Sequence, residues 1–189
     1  MRVFGIDPGS LRTGYGCIES DGRRHQLVSC GAIQPPARAA LPDRLSRIFD
    51  DLVRLIAADA PDCIVVENLF HAKNVRSALT LGHARGVAVL AAVRAGVEVV
   101  EYTPAEIKAS VAGYGRADKV QIQHMVKQLL GLAAVPRPND AADALAVALC
   151  HLHACGPLAS LASAASRAPR HLRSWRHMTA DQLPRRRAE

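Results

Sequence analysis

Two apolar runs in this sequence each end in an acidic residue. The run VFGID ends at Asp7, and the run CIVVE ends at Glu67. Short apolar runs of this kind are typical of buried strands, so the pattern predicts a carboxylate at the carboxyl end of each strand. A third acidic feature, the pair Asp140 and Asp143 in PNDAADALAVALC, opens an apolar helix. Residues three positions apart share one helical face.

Taken one at a time, these acids have ordinary structural explanations. Asp7 precedes Pro and Gly and could begin a turn. Asp140 could cap the last helix, and Asp143 could add a favourable charge to its first turn. Glu67 directly follows an apolar strand and needs a partner. Uncompensated carboxylates gathered beside a core are costly unless a cation binds them, so the four together indicate a site for divalent metal ions that could serve phosphodiester chemistry.

Alternating strand and helix patterns run along most of the chain. Turn residues separate them, and TPAE has the composition of a capping box with Pro at the first helical position. We predict strands over 1–7, 13–20, 25–34, 63–67 and 97–102, and helices over 41–60, 74–95, 104 to about 113, 118–130 and 140 to about 154. This order favours an α/β fold with a five-stranded mixed sheet sandwiched by helices.

The length of 189 residues suggests one domain, over residues 1–154, followed by a basic tail over 155–189. The tail holds seven arginines against Asp181 and Glu189, so it carries most of the net charge of +7. Its Ala-, Ser- and Arg-rich composition predicts disorder. Such a tail either improves solubility or attracts polyanions in a salt-dependent way.

Several classes of protein are disfavoured by composition. No apolar run reaches the roughly 18 residues of a membrane span, and the start MRVFGIDPGS does not resemble a signal peptide. We therefore expect a cytoplasmic protein with no membrane partner. The five cysteines are odd in number and show no CxxC spacing, so we expect reduced core residues rather than disulfides or zinc ligands.

The order of elements and acids resembles the ribonuclease-H-like nuclease fold. Within that group, the segments GIDPGSLRTGYG, VVENLF and PNDAADALAVALCH are similar to the three motif regions of the RuvC-type crossover junction endonucleases, the Holliday-junction resolvases. The resemblance covers roughly the first 154 residues, in the same order and spacing. It implies an endodeoxyribonuclease that nicks two strands of like polarity symmetrically in a four-way DNA junction, leaves 5′-phosphate ends, and serves recombination and repair.

The resemblance also implies which residues form the active site. It makes the four acids ligands of Mg²⁺, with Mn²⁺ able to substitute and two ions per site: Asp7, Glu67, Asp140 and Asp143. It places Lys108 and Lys119 near the scissile phosphate, where a cation would offset developing negative charge. Some related resolvases have a histidine in the last motif where this chain has Asp140, so no catalytic histidine is assigned.

DNA contacts are predicted around the second and third motifs. Phe70 lies in a polar stretch, where it could stack on an unpaired base at the junction centre or instead close the core beneath the next helix. Lys73 and Arg76, beside it, favour a surface that faces DNA. Lys108, Arg116 and Lys119 are the other basic residues expected at the DNA.

Two cuts related by symmetry require two active sites, which a two-fold homodimer provides. The segment LTLGHARGVAVLAAV offers a surface for it, because Gly82, Ala84, Gly86 and Ala88 permit close helix approach; burial against the sheet is the alternative use. The resemblance further implies a branch-migration helicase complex of the RuvA and RuvB type as a partner.

Three other functions remain open from the sequence alone. The motif GIDPGSLRTGYG also resembles the phosphate-binding turn of actin-like ATPases and sugar kinases, although those proteins need a second domain and further glycine-rich loops. A non-catalytic junction-binding or RNA-binding module would use the acids only structurally. A ribonuclease H would cut RNA in hybrids, and offering matched hybrid, duplex and four-way DNA substrates separates the two activities.

Overall fold

The computed structural model describes residues 1–68 and 74–155, and these fold as alternating strands and helices. All five strands and five helices predicted from the sequence are present, with ends that differ by a few residues at most. They are β1 (Arg2–Asp7), β2 (Thr13–Ser20), β3 (His25–Ile33), α1 (Leu41–Asp59), β4 (Cys63–Glu67), α2 (Val75–Arg94), β5 (Glu98–Tyr102), α3 (Pro104–Ala112), α4 (Lys119–Leu129) and α5 (Asn139–Cys155).

The strands form one mixed sheet in the order β3-β2-β1-β4-β5. The first three strands form an antiparallel meander, whereas β4 and β5 run parallel to β1. Parallel neighbours end at the same edge of a sheet, so the carboxyl ends of β1 and β4 lie side by side. The predicted mixed α/β sheet is confirmed.

Helices cover both faces of the sheet. Alternating residues of β1 point to opposite sides, so Phe4 and Ile6 contact α1 and α2, whereas Val3 belongs to the core beneath α3, α4 and α5. The last helix is the most buried of the five, because every residue from Ala141 to Leu152 except Asp143 is buried. This explains why its sequence is almost entirely apolar after the first turn.

Glycines in β1 and β2 allow α5 to lie directly on the sheet. A Cβ atom on Gly5 would overlap the carbonyl oxygen of Ala144 and lie 2.9 Å from the amide nitrogen of Ala148. A Cβ atom on Gly16 would lie 2.6 Å from Cδ2 of Leu145. Because the backbones of β1 and α5 meet at Gly5, a side chain there would force the helix away from the sheet.

The predictions for the ends of α3 are also confirmed. Thr103 and Glu106 form the capping box of α3, with the Thr103 amide donating to Glu106 Oε2 at 2.7 Å. Gly113 ends the same helix with a positive φ of 85°. All five cysteines are free thiols, although Cys155 is exposed rather than in the core. Within residues 1–68 and 74–155, no helix has the length and apolar character needed to cross a membrane. The predicted tail lies, apart from Cys155, outside the described residues.

Candidate active site

The first two acids meet at the edge of the sheet. Ile6 of β1 pairs with Val66 of the parallel strand β4, so the next residues along, Asp7 and Glu67, lie beside each other where the strands end. Their side chains are hydrogen-bonded to each other. Two carboxyl groups can share a hydrogen bond only when one of them holds a proton.

The last helix brings the other two acids to the same edge. Asp7 pairs with Gly14 of β2, and a Cβ atom on Gly14 would overlap the backbone of Asp140. Asp143 lies one turn further along α5, within electrostatic reach of both Asp7 and Glu67. The structure therefore brings together all four acids that the sequence singled out.

Burial and mutual repulsion raise the pKa values of the first pair. Burial is the largest cause of the upward shift in the pKa of Asp7, followed by the negative charge of Glu67 and the hydrogen bond to it. Burial also raises the pKa of Glu67, whereas the hydrogen bond from Asp7 lowers it. Both pKa values are therefore raised, and simultaneous ionisation of the two carboxyl groups is disfavoured.

Lys119, the first residue of α4, holds the third acid. Its Nζ donates to Oδ2 of Asp143 at 2.5 Å. Burial raises the pKa of Asp143, and the contact with Lys119 opposes that rise. For Lys119, burial lowers the pKa, but the hydrogen bond and the charge of Asp143 outweigh it, so the net shift is upward. The lysine therefore remains a cation at neutral pH.

Arg12, in the turn between β1 and β2, holds the fourth acid and was missed in the sequence. Its Nη1 lies 3.2 Å from Oδ2 of Asp140, and its Nη2 lies 3.5 Å from Oε1 of Gln34. The two residues are far apart along the chain, so no spacing rule relates them. The contact forms because α5 packs on β2, and it cannot be inferred from the sequence alone.

A cavity of about 330 Å³ opens beside the acids. Its polar lining comes from Asp7, Glu67, Asp143, Lys108 and Lys119, and α3, α4 and α5 supply its apolar walls. The two predicted lysines thus converge on three of the four acids. Such a mixture of carboxylates and cations suits a phosphate that must be held while negative charge develops on it.

A larger hollow of about 530 Å³ lies elsewhere, between the carboxyl-terminal ends of α1 and α2 and the start of β4. It is lined by apolar side chains and Arg94, and contains no group suited to acid, base or metal chemistry among the residues described. Size does not identify the active site here; the convergence of ionisable groups does.

The acids are not arranged as a finished ligand set. Among residues 1–68 and 74–155, no group of three His, Cys, Asp or Glu side chains is positioned to hold a metal ion. Arg12 and Lys119 already pair with oxygens of Asp140 and Asp143 that a metal would use. The donor chemistry nevertheless fits a hard divalent cation, since every candidate ligand is a carboxylate oxygen.

The other residues predicted to contact DNA do not line the acidic cavity where the structure describes them. Arg116 is exposed in the loop between α3 and α4 and is not among the residues lining the acidic cavity. Arg76 is exposed in the first turn of α2 and lines a separate cleft. Phe70 and Lys73 lie outside the described residues.

A mixed sheet of this order, with carboxylates at the ends of two parallel strands and at the start of a helix packed on them, defines a nuclease of the ribonuclease-H-like class. Comparison with known proteins agrees. Residues 3–151 match the family model described as crossover junction endodeoxyribonuclease RuvC. The chain therefore belongs to the RuvC family; it is a divalent-metal-dependent crossover junction endodeoxyribonuclease.

Individual relatives are similar over nearly their whole length. Crossover junction endodeoxyribonuclease RuvC of Alkaliphilus oremlandii is 52% identical over 81% of this chain and 93% of the relative. The solved structure of Thermus thermophilus RuvC is 34% identical, with a TM-score of 0.74 over 82% of this chain and 95% of that one. T. thermophilus RuvC in complex with a Holliday junction substrate is 31% identical, with a TM-score of 0.75 over 82% of this chain and 94% of that one.

Proposed function

We propose that Asp7, Glu67, Asp140 and Asp143 hold two divalent ions, Mg²⁺ or in its place Mn²⁺, for hydrolysis of a phosphodiester in a four-way junction. The single observation that supports this best is the strand register that sets Asp7 beside Glu67, on a sheet edge that α5 also reaches. When bound, such ions lower the pKa of the attacking water and stabilise the leaving 3′ oxygen. The products are a 5′-phosphate and a 3′-hydroxyl.

The residues of the chain prepare the site in two ways. Asp7 and Glu67 must both be ionised to present two charged carboxylates at one point, and their raised pKa values oppose this until a cation binds. Lys119 and Arg12 compensate the charges of Asp143 and Asp140 while no other cation is present. Once released from Asp143, Lys119 lies in the same cavity as Lys108, where both can neutralise the negative charge of the scissile phosphate.

Resolution of a junction into two duplexes requires symmetric nicks in two strands of like polarity, so we propose a two-fold homodimer. The outer side of α2 is the best surface for it. Ala84 and Ala88, which the sequence suggested for dimer contact, are fully buried against the rest of the domain. Gly82 and Gly86 instead face open space. They alternate at helical spacing with the exposed Leu79, Leu90 and Val93.

We call this surface the α2 stripe; it consists of Leu79, Gly82, Gly86, Leu90 and Val93. Three of its members are large apolar side chains that are between 48% and 61% exposed. Glycines between them would let a second helix approach closely, because no side chain stands in the way. An isologous contact along the α2 stripe would bury the apolar groups of both copies at once.

Family membership supports two further proposals. We propose that a branch-migration helicase complex of the RuvA and RuvB type delivers the junction to the enzyme during recombination and repair. Because the substrate is chromosomal DNA, we place the reaction in the cytoplasm beside it. Both proposals rest on membership of the RuvC family and not on a contact within the fold.

Cleavage of a synthetic four-way junction tests the proposed function. With Mg²⁺ the protein should convert the junction into nicked duplexes, and EDTA should stop the reaction. Asp7→Asn and Asp143→Asn should bind the junction without cutting it, whereas Asp50→Asn, an exposed acid on α1, should cut normally. Linear duplex and RNA–DNA hybrid serve as matched competitors; preferential cleavage of the hybrid, or cutting by Asp7→Asn, would contradict the proposal.

A further inference from the structure

A second cleft lies at the same end of the sheet as the acids. It occupies about 330 Å³ between the turn that follows β1 and the first turns of α1 and α2. Its polar lining consists of Ser10, Arg44, Arg76, Ser77 and Thr80. No residue is shared with the lining of the acidic cavity, and no described lining residue is acidic. We refer to it as the arginine cleft.

The guanidinium of Arg44 is incompletely satisfied. Its Nε is buried from water and has no hydrogen-bond partner among the described residues. Two other arginines, Arg2 and Arg85, also have a buried free Nε, but each forms an ion pair through another nitrogen. Arg44 has no carboxylate partner in the part of the chain that the structure describes. A charged arginine that lines the cleft without an acid partner is available to an external anion.

Neighbouring arginines on α1 behave differently. Arg47 and Arg54 both pair with Asp51, a buried acid of the same helix. Arg44 has Ile48 four residues further along, so its own helix offers no acid at the favourable spacing. Arg44 therefore lines the cleft with a positive charge that no acid among the described residues offsets.

The ends of two long helices add to the positive field of the cleft. Arg44 lies in the first turn of α1, which has 19 residues, and Arg76 and Ser77 lie in the first turn of α2, which has 20. The amino-terminal ends of helices attract anions. Thr80 donates its hydroxyl to the carbonyl of Arg76 at 3.0 Å. The hydroxyls of Ser10 and Ser77 are left as donors to a ligand.

Resting on the proposed action on junction DNA, we propose that the arginine cleft binds a non-scissile phosphate of the DNA backbone. Two guanidiniums, two hydroxyl donors and two helix ends match the oxygens of a phosphodiester, and arginine forms paired hydrogen bonds with such groups. Ser10 lies in the turn that follows β1, three residues beyond Asp7 at the end of that strand. A phosphate held here fixes how the strand enters the acidic cavity, without reading its sequence.

Binding of a labelled four-way junction in EDTA, measured by fluorescence anisotropy between 50 and 200 mM salt, tests the proposal under conditions where no strand is cut. Arg44→Gln should weaken binding by about tenfold for junctions of any sequence, as expected for loss of one charge-assisted contact. The slope of log affinity against log salt should fall by about one. The control Arg23→Gln removes the same charge from an exposed turn between β2 and β3, and it should change neither quantity by a comparable amount.

Circular dichroism and thermal melting establish that each variant is folded. Should Arg44→Gln fail to fold, Arg76→Gln tests the same cleft through an exposed residue and should give the same loss of slope. Folded variants that bind with the affinity and slope of the unchanged protein would overturn the proposal. Equal losses in Arg44→Gln and Arg23→Gln would also overturn it, because they would indicate bulk charge. Failure of the unchanged protein to bind the junction would instead count against the proposed function.

Discussion

Gly14 lies against Asp140 so closely that a single methyl group on the glycine would overlap the carbonyl oxygen of that aspartate. The strand that carries Gly14 is also the strand that pairs with Asp7. Two acids separated by more than a hundred residues in the sequence are therefore brought together through a position that has no side chain. The placement of Asp140 beside Asp7 depends on this glycine.

Gly14→Ala should displace the start of α5 and disable the enzyme. Overpacking against backbone costs typically 1–3 kcal/mol, so we expect a loss of that order in the free energy of unfolding, with a much larger loss of junction cleavage. Urea denaturation and a cleavage assay measure the two effects. In the control Gly115→Ala, the new Cβ would be 3.4 Å from the carbonyl oxygen of Ala105, which is tolerable; equal activity of the two variants would contradict this role for Gly14.

Asp7→Asn should stabilise the protein in the absence of metal. The pKa of Asp7 is raised in the folded state by burial and by Glu67, so protonation favours folding. That stability is fully present below the ordinary pKa of an aspartate and is lost as the pH rises through the folded pKa. In EDTA at neutral pH we expect Asp7→Asn to gain on the order of 1 kcal/mol, and the gain should shrink toward pH 4. Urea midpoints across that range test it, and a gain that grows on acidification would be inconsistent with a raised pKa of Asp7.

Removal of Arg12 should strengthen metal binding. Arg12 pairs with Asp140 at 3.2 Å, and both side chains are partly exposed, so the pair is worth at most about 1 kcal/mol. Arg12→Ala should therefore raise Mn²⁺ affinity by up to about fivefold, as measured by calorimetric titration without DNA. Arg23→Ala should not. A lower affinity in Arg12→Ala would mean that the arginine helps to assemble the site rather than competing for it.

A charge on the α2 stripe should dissociate the dimer. Leu90 is 51% exposed, and a glutamate there would place a charge, and its two-fold copy, in an apolar contact. We expect Leu90→Glu to sediment as a monomer at micromolar concentration and to lose coordinated double nicking. Val120, on α4, is 62% exposed, so Val120→Glu is the matched control. A dimer that survives Leu90→Glu would require a different interface.

The sequence predicted much of this structure because its signals are local. The apolar runs VFGID and CIVVE predicted two of the strands, and the Thr103–Glu106 capping box predicted the start of α3; each signal depends on neighbours along the chain. The four acids were found because each ends or begins such an element. Motif resemblance then supplied Lys119, whose contact with Asp143 joins two separate helices.

Contacts between distant elements could not be predicted in this way. Arg12 and Arg44 look like ordinary surface residues in the sequence. The packing of the turn after β1 and of the helices around it gives Arg12 a partner in Asp140 and leaves the Nε of Arg44 without one among the described residues. The division of α2 into a buried face with Ala84 and Ala88 and an open face with Gly82 and Gly86 likewise depends on how the helix is rotated on the sheet.

Crystals of the protein soaked in Mn²⁺ test the central claim most directly, because anomalous scattering locates the ion without reference to activity. We predict an anomalous peak bounded by carboxylate oxygens of Asp7, Glu67 and Asp143, with Lys119 moved away from Asp143. The same soak of Asp7→Asn should lose that peak. A site that stays empty in well-occupied crystals, or a peak held by other residues while these acids keep their present partners, would contradict the account.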